Sequence, residues 1–342
     1  MSAYNVAILG ATGLVGREFL KIIAQRKFPV ASLRLLASAR SAGKTMRFNG
    51  VDITVEEAGM NSFKGIDIAL FSAGAAASHR FAPIAVSSGA SVVDNSSAFR
   101  TDENIPLVVP EVNPEDVDWH RGIIANPNCS TIQMVVALAP LHRVNPIKRI
   151  IVATYQAVSG SGAVAVTELT EESRRLLDGE TSMPHVYPHQ IAFNALPHID
   201  VFLDNGYTRE EWKMMVETRK IMHQPEMPVS ATCVRIPVYT SHSEAVQIEL
   251  SHEMSAEEAR KILDEAPGVK VQDNPEMNFY PMPWQTAGTD DVFVGRIRVD
   301  SSLRKGLAMW VVADNLRKGA ALNTVQIAEE MIKRNRVSFR GE

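Results

Sequence analysis

The chain has 342 residues, 45% hydrophobic and 22% charged, and a formal net charge of −4 from 35 basic and 39 acidic side chains; that length favours about two domains, and the balanced charge argues against nucleic acid or an anionic membrane as partner. Two cysteines, Cys129 and Cys233, make no disulfide framework, which fits a reducing compartment. The opening Met1-Ser2-Ala3-Tyr4-Asn5 has no basic n-region, and no apolar run reaches the roughly 18–20 residues of a membrane span, so a cytoplasmic protein is expected.

Residues 5–9 read as a short apolar strand that runs into Gly10-Ala11-Thr12-Gly13-Leu14-Val15-Gly16 and then a helix to about residue 26. Glycines at 10, 13 and 16 suit a dinucleotide site: one makes the tight turn, one admits the pyrophosphate, and one packs helix on sheet. The phosphates would sit on the helix N-terminus. A second strand, 33–37, ends in Ala37-Ser38-Ala39-Arg40-Ser41, and no carboxylate stands between Glu18 and Asp52 to take a ribose 2′-hydroxyl. Arg40, flanked by Ser38 and Ser41, suits a 2′-phosphate, so the cofactor expected is NADP. Strands at 66–72 and 91–94 bracket an Ala-rich helix at 75–88, and 123–125 is a later strand. This alternation predicts a doubly wound parallel sheet. Arg100 follows Asn95-Ser96-Ser97-Ala98-Phe99, beyond the carboxyl end of a parallel strand, where ligands of such sheets gather.

Cys129 carries the most specific signal. Ile123-Ile124-Ala125 leads into Asn126-Pro127-Asn128-Cys129, and an apolar helix follows through residue 139. A thiol at a helix N-terminus meets unpaired N–H groups and the positive end of the dipole, which favour the thiolate, a nucleophile for acyl transfer.

Beyond residue 139 the texture becomes mixed α+β. A longer strand at 149–157 ends in the flexible break Ser159-Gly160-Ser161-Gly162, before a helix at 164–177. Residues 183–197 are rich in Pro and His and read as an ordered loop; His185, His189 and His198 match no compact zinc spacing, and no metal is expected. A helix at 209–223 puts Glu217 and Lys220 on one face, where an isolated pair reads first as a solvated ion pair. Strands follow at 231–239, 244–251 and 292–300, and a last helix at 320–336. Arg235 sits among apolar strand neighbours and needs a partner or ligand; Cys233, on the same strand face, reads as packing. His242, in a turn after that strand, is a candidate acid/base. A nucleophilic thiol with a nicotinamide carrier means aldehyde–thioester chemistry.

With these residues in hand, the chain resembles the aspartate-semialdehyde dehydrogenase family nearly end to end. The likeness is carried by Gly10-Ala11-Thr12-Gly13-Leu14-Val15-Gly16, Ser96-Ser97-Ala98-Phe99-Arg100, Asn126-Pro127-Asn128-Cys129-Ser130-Thr131, and Tyr155-Gln156-Ala157-Val158-Ser159-Gly160-Ser161-Gly162. It continues in Gln190-Ile191-Ala192-Phe193-Asn194, Glu217-Thr218-Arg219-Lys220, Arg235-Ile236-Pro237-Val238 with His242, and Asp314-Asn315-Leu316-Arg317-Lys318-Gly319-Ala320.

The resemblance implies NADP-dependent reductive dephosphorylation of L-aspartyl 4-phosphate to L-aspartate 4-semialdehyde, toward lysine, threonine, methionine and diaminopimelate. It implies Cys129 as nucleophile, His242 as general acid/base and Gln156 as orienting residue. Arg235 would hold the substrate α-carboxylate, Glu217 its α-ammonium, and Arg100, Lys220 and Asn128 the phosphate. The cofactor would lie on Gly10, Thr12, Gly13, Leu14, Val15, Ser38, Arg40, Ser41, Ser159, Gly160 and Asn315. The expected fold is α/β: a Rossmann-type doubly wound domain, 1–128 with a C-terminal helix at about 315–342, and an α+β catalytic and dimerisation domain, 129–314, with a mixed or antiparallel sheet. The expected assembly is a homodimer, with a tetramer left open.

Two relatives and one other class compete. N-acetyl-γ-glutamyl-phosphate reductase has an acylated substrate amine and no use for Glu217, and its Pro-Gly-Cys-Tyr run is replaced here by Pro127-Asn128-Cys129-Ser130. A phosphorylating glyceraldehyde-3-phosphate dehydrogenase would carry Cys-Thr-Thr-Asn. A non-catalytic NADP-binding redox sensor would leave Arg100, Glu217, Lys220, Arg235 and His242 without a shared purpose.

Overall fold

The computed structural model describes residues 3–181 and 183–337. The chain divides into two units: one built from the segment up to Asn128 together with that from Ala320 onward, the other from Cys129–Gly319.

The first unit is a seven-stranded sheet with helices. Along the chain run β1 (Tyr4–Leu9), α1 (Leu14–Gln25), β2 (Val30–Ala37), β3 (Thr45–Phe48), β4 (Val51–Glu57), β5 (Ile68–Phe71), α2 (Ala75–Ser87), β6 (Ser91–Asp94) and β7 (Ile123–Ala125). The sheet order is β3-β4-β2-β1-β5-β6-β7. All neighbours are parallel except β3 and β4. Strands covered on both faces need continuous apolar sequence, and β5 and β6 are buried at every position. From β1 the chain winds to β2 on one side and to β5 on the other, so the order reverses beyond the carboxyl end of β1, where such sheets bind ligands. The antiparallel hairpin β3–β4 was not anticipated. Its signal is Asn49-Gly50, with φ of 47° and 84°, the residue pair that two-residue hairpin turns favour.

The second unit opens with α3 (Cys129–Val144) and β8 (Ile147–Gln156), followed by α4 (Ala163–Leu177), α5 (Arg209–Ile221), β9 (Val229–Arg235), β10 (His242–Leu250), α6 (Ala256–Asp264), β11 (Val269–Val271), α7 (Pro283–Thr286), β12 (Val292–Asp300) and β13 (Gly306–Ala313). Its sheet order is β11-β12-β13-β10-β8-β9. Two pairs, β8–β9 and β11–β12, are parallel and the rest antiparallel, so the sheet is mixed. Helix α3 is buried without a break from Ser130 to Ala139. It packs on β8, β10, β12 and β13 and is predominantly apolar because it is a core helix.

Three expectations change in this unit. His242 is not in a turn: β10 begins there, with His242 paired to Ala313. The break at 159–162 is a 3₁₀ turn, Val158–Ser161, tied down because Val158 and Ser159 donate backbone N–H groups to the carbonyls of Val238 and Tyr239. The unit also keeps residues 315–319, so the chain leaves it five residues later than expected. Asp314 accepts the Gly288 N–H (2.7 Å) and Asn315 the Ser241 N–H (2.9 Å), holding that segment in place. The last helix, α8 (Leu322–Lys333), returns to the first unit and buries Leu322, Val325, Ile327 and Met331 with Ile8, Phe19, Ile22 and Leu70.

Candidate active site

In the first unit the glycine loop follows β1 and opens α1. Gly10 has φ +88°, and a Cβ there would lie 2.2 Å from the Ser72 carbonyl oxygen; one at Gly16 would lie 2.2 Å from the Gly10 oxygen. Both positions need glycine for the protein's own packing. Gly13 does not: a Cβ there would meet only the Gly10 oxygen, at an ordinary 3.4 Å. Gly13 is the exposed N-cap of α1, flanked by half-buried Thr12, Leu14 and Val15. The open space over that cap and the free N–H groups of the first turn fit a phosphate approaching the backbone.

A 3₁₀ turn, Ala39–Ser41, follows β2 and leaves Ser38 and Arg40 exposed, with Ser41 buried. The linear reading found no acid at this strand end. The sheet supplies one, since Glu57 of β4 is in register with Ala37. Arg100 is buried, and its guanidinium donates from Nε to the Asn126 carbonyl (2.9 Å) and from Nη2 to that of Asn95 (3.0 Å). Asn128 is also buried.

In the second unit Cys129 is the first residue of α3 and half-buried. Gly319 makes room for it: a Cβ at Gly319 would stand 2.9 Å from the Cys129 Cβ. His242 is fully buried, and its Nδ1 accepts the Ala157 N–H (3.0 Å). Nε2 has no hydrogen-bond partner among the described residues. Burial, reinforced by the Arg235 charge, holds the imidazole pKa well below 6.5. Arg235, the last residue of β9, donates from Nη1 to the Ala157 carbonyl (2.7 Å), and its buried Nε is unbonded among the described residues. Gly160 lies against both: its Cβ would be 2.9 Å from Arg235 Nη1 and 3.3 Å from His242 Cε1. One backbone residue, Ala157, thus fixes both side chains, and a glycine keeps the space beside them clear.

The other expected residues fall into three groups. Gln156 ends β8, and its Nε2 donates to Thr154 Oγ1 and Glu210 Oε1, both at 3.3 Å. Glu217 and Lys220 share a face of α5, but Glu217 is 1% exposed rather than solvated. Ser159 and Asn315 bond to each other: Asn315 Nδ2 donates to Ser159 Oγ (2.9 Å) while its Oδ1 accepts the Ser241 N–H. Ser241 precedes His242 and has φ +75°, a strained state for a non-glycine residue, so this side chain steadies the start of β10. Cys233 is buried against Met214, and burial pushes its thiol pKa up. Of the three histidines of the 183–198 region, His198 stacks on Phe202 with centroids 4.4 Å apart.

The linear reading missed Glu210, Gly319 and Glu244. The last is fully buried two residues after His242. The signal was present: alternation along β10 gives His242, Glu244, Val246 and Ile248 one inward face.

Residues 5–120 match the family model described as "Semialdehyde dehydrogenase, NAD binding domain", and residues 138–318 match "Semialdehyde dehydrogenase, dimerisation domain". The aspartate-semialdehyde dehydrogenase of Aquifex aeolicus is 59% identical, over 96% of this chain and 98% of that protein. That of Bacillus subtilis is 53% identical, over 97% and 99%. Among solved structures, aspartate semialdehyde dehydrogenase II of Vibrio cholerae superposes with a TM-score of 0.95 at 48% identity, covering 97% of this chain and 99% of that one; a second structure of it, complexed with ASA, gives the same values. The Candida albicans enzyme with NADP has a TM-score of 0.76 at 28% identity, covering 98% of this chain and all of that one.

Proposed function

The chain belongs to the aspartate-semialdehyde dehydrogenase family of oxidoreductases, and from that premise we propose that it interconverts L-aspartyl 4-phosphate and L-aspartate 4-semialdehyde with NADP through a thioester on Cys129. The observation that carries the reading is Cys129 at the first residue of a buried helix, where the positive end of the helix dipole favours the thiolate. The product aldehyde leads toward lysine, threonine, methionine and diaminopimelate, in the cytoplasm.

In the oxidative direction the Cys129 thiolate adds to the aldehyde carbon, forming the C–S bond and moving charge onto the carbonyl oxygen. His242 meets that charge as a donor. Because Nδ1 accepts a backbone N–H, the neutral ring carries its proton on Nε2, and its lowered pKa keeps it neutral. The expected acid/base role therefore narrows to a hydrogen bond to the oxyanion, strongest as charge develops. Bound NADP supplies the hydride exchange between aldehyde and acyl oxidation levels. Phosphate then attacks the thioester carbonyl, the C–S bond breaks, and Cys129 departs as thiolate.

We assign Arg235 to the substrate α-carboxylate, Glu217 to the α-ammonium, and Arg100, Asn128 and Lys220 to the phosphate. Gln156, anchored on Glu210, orients the acyl group. The open cap at Gly13, with Gly10, Thr12, Leu14 and Val15, would hold the NADP pyrophosphate. Ser38, Arg40 and Ser41 would hold the 2′-phosphate, against the charge of Glu57 nearby. Gly160, Ser159 and Asn315 complete the assignment, the last two through their support of the His242 strand. The working unit is a homodimer.

The test is NADPH formation from L-aspartate semialdehyde and NADP⁺, with and without inorganic phosphate, alongside N-acetylglutamate semialdehyde and NAD⁺. Phosphate-dependent turnover of the aspartyl aldehyde with NADP⁺ is expected, lost in Cys129→Ala with NADP binding intact. Turnover that ignores phosphate would remove the thioester step. Absence of turnover in a folded protein would bring the redox-sensor reading forward.

A further inference from the structure

Helix α4 clamps the Pro- and His-rich loop with two carboxylates. Glu168 Oε2 accepts the N–H groups of His185 (2.9 Å) and Val186 (2.6 Å). One turn on, Glu172 Oε2 accepts those of Ile191 and Ala192, both at 3.0 Å. Between the clamps lies Tyr187, its ring packed on the cluster of Val158, Ala165, Leu169 and Ile191. The hydroxyl is buried and makes no hydrogen bond to the described residues. The Arg235 guanidinium, the Ser161 hydroxyl and the Glu168 carboxylate act on it, and burial first, then the Glu168 charge, pushes the phenol pKa up, so it remains a donor at neutral pH.

Arg235 shows the complementary deficit, with its buried Nε likewise unbonded among the described residues. Buried donors left without acceptors are costly and rare. Gly160 keeps side-chain atoms out of the space beside the Arg235 guanidinium. The Tyr187 ring packs on Val158, and Arg235 donates to the carbonyl of the adjacent Ala157; a cationic and a neutral donor left over in one buried region suit an anionic acceptor with two oxygens, which is a carboxylate. We propose that Tyr187 is a substrate-binding residue whose hydroxyl donates to the α-carboxylate held by Arg235, and so selects substrates that carry it. This rests on the dehydrogenase reading above.

The test compares wild type with Tyr187→Phe, which keeps the packed ring. The substrates are L-aspartate semialdehyde and 3-aminopropanal, which lacks only the carboxylate. KM for the first rises roughly tenfold or more, the value of a hydrogen bond to a charged group, with kcat little changed; KM for the second is the same in both proteins. Equal losses on the two aldehydes, or none, overturn the proposal. Val186→Ala disturbs the same loop but spares the hydroxyl, and should not discriminate; selective loss there would assign the effect to the loop instead.

Calorimetry with unreactive L-2-aminobutyrate and propylamine separates the two readings. If wild type turns over neither aldehyde, the dehydrogenase reading fails on its own. Tyr187 is then decided by binding: wild type should bind L-2-aminobutyrate roughly tenfold more tightly than Tyr187→Phe. Equal affinity, or no binding by wild type, overturns the assignment.

Discussion

His242 and Glu244 stand two residues apart on the inner face of β10, and burial keeps both neutral by opposite shifts. Neither oxygen of Glu244 has a hydrogen bond among the described residues; the Gln133 amide is the polar group that faces it, and desolvation holds the carboxyl pKa well above the usual carboxylate range. The unfolded chain ionises this group above its ordinary pKa while the folded chain does not, so folding loses stability as pH rises. Glu244→Gln, which is neutral at every pH, should therefore gain over wild type in urea unfolding between about pH 5 and about pH 8. A difference that stays constant with pH would mean the carboxyl is ionised in place.

For His242 the donor role predicts that kcat/KM falls only at pH well below 6.5, where the depressed pKa lets the ring charge. His242→Ala should lose roughly 10²–10³ in kcat. His242→Gln, which can present an N–H near the same point, should lose less. Equal losses would restore the acid/base role. Cys129 was legible in the sequence because a strand, a polar turn and an apolar run are local. The tautomer of His242 was not, because Ala157, which sets it, lies just past the end of β8, 85 positions away in sequence.

At the scale of elements, the glycine loop separates packing from binding. Gly10→Ala and Gly16→Ala drive a Cβ to within 2.2 Å of backbone oxygens and should each cost about 2–4 kcal/mol in thermal or urea unfolding. Gly13→Ala should leave stability within about 0.5 kcal/mol while weakening NADP binding roughly tenfold or more, as titrated by fluorescence. Comparable affinity in Gly13→Ala would take the pyrophosphate off this cap. The strand–loop–helix order was readable because its period and glycines are contiguous. The β3–β4 hairpin escaped although Asn49-Gly50 marks its turn, since the four residues of β3 leave little periodicity. The short β11 and the neighbouring α6 and β13 escaped likewise.

At the scale of the whole molecule, the second sheet has a partly exposed face, covered in part by the Pro281 segment that accepts the Trp310 indole N–H. On this face lie Ile151, Tyr155, Ala245, Gln247 and Trp310, with Tyr155 and Trp310 rings 5.4 Å apart and Arg149 paired to Glu249 at 3.7 Å. Ile151 is 40% exposed at mid-strand. Residues 138–318 match a dimerisation-domain model, and we propose this exposed apolar stripe as the face on which a second copy packs. Ile151→Glu should shift sedimentation toward the monomer at concentrations where wild type is a dimer, and an unchanged profile would place the interface elsewhere. Among the described residues no helix is long and apolar enough to cross a membrane.

What the linear chain determined by itself is what local pattern encodes. That covers the doubly wound unit, the phosphate-type loop, the thiol at a helix start, and, through its motifs, the family. Tertiary structure alone decided the rest, because it depends on partners far apart in sequence. Glu57 reaches the end of β2 only through strand register. Asn315 steadies Ser241 from more than seventy positions away. The loop that carries Tyr187 is held by two carboxylates of α4 that lie some twenty positions earlier in the chain. Periodicity reports which face a side chain occupies; it carries no record of which buried donors are left without an acceptor, and that is where the chemistry of this chain is specified.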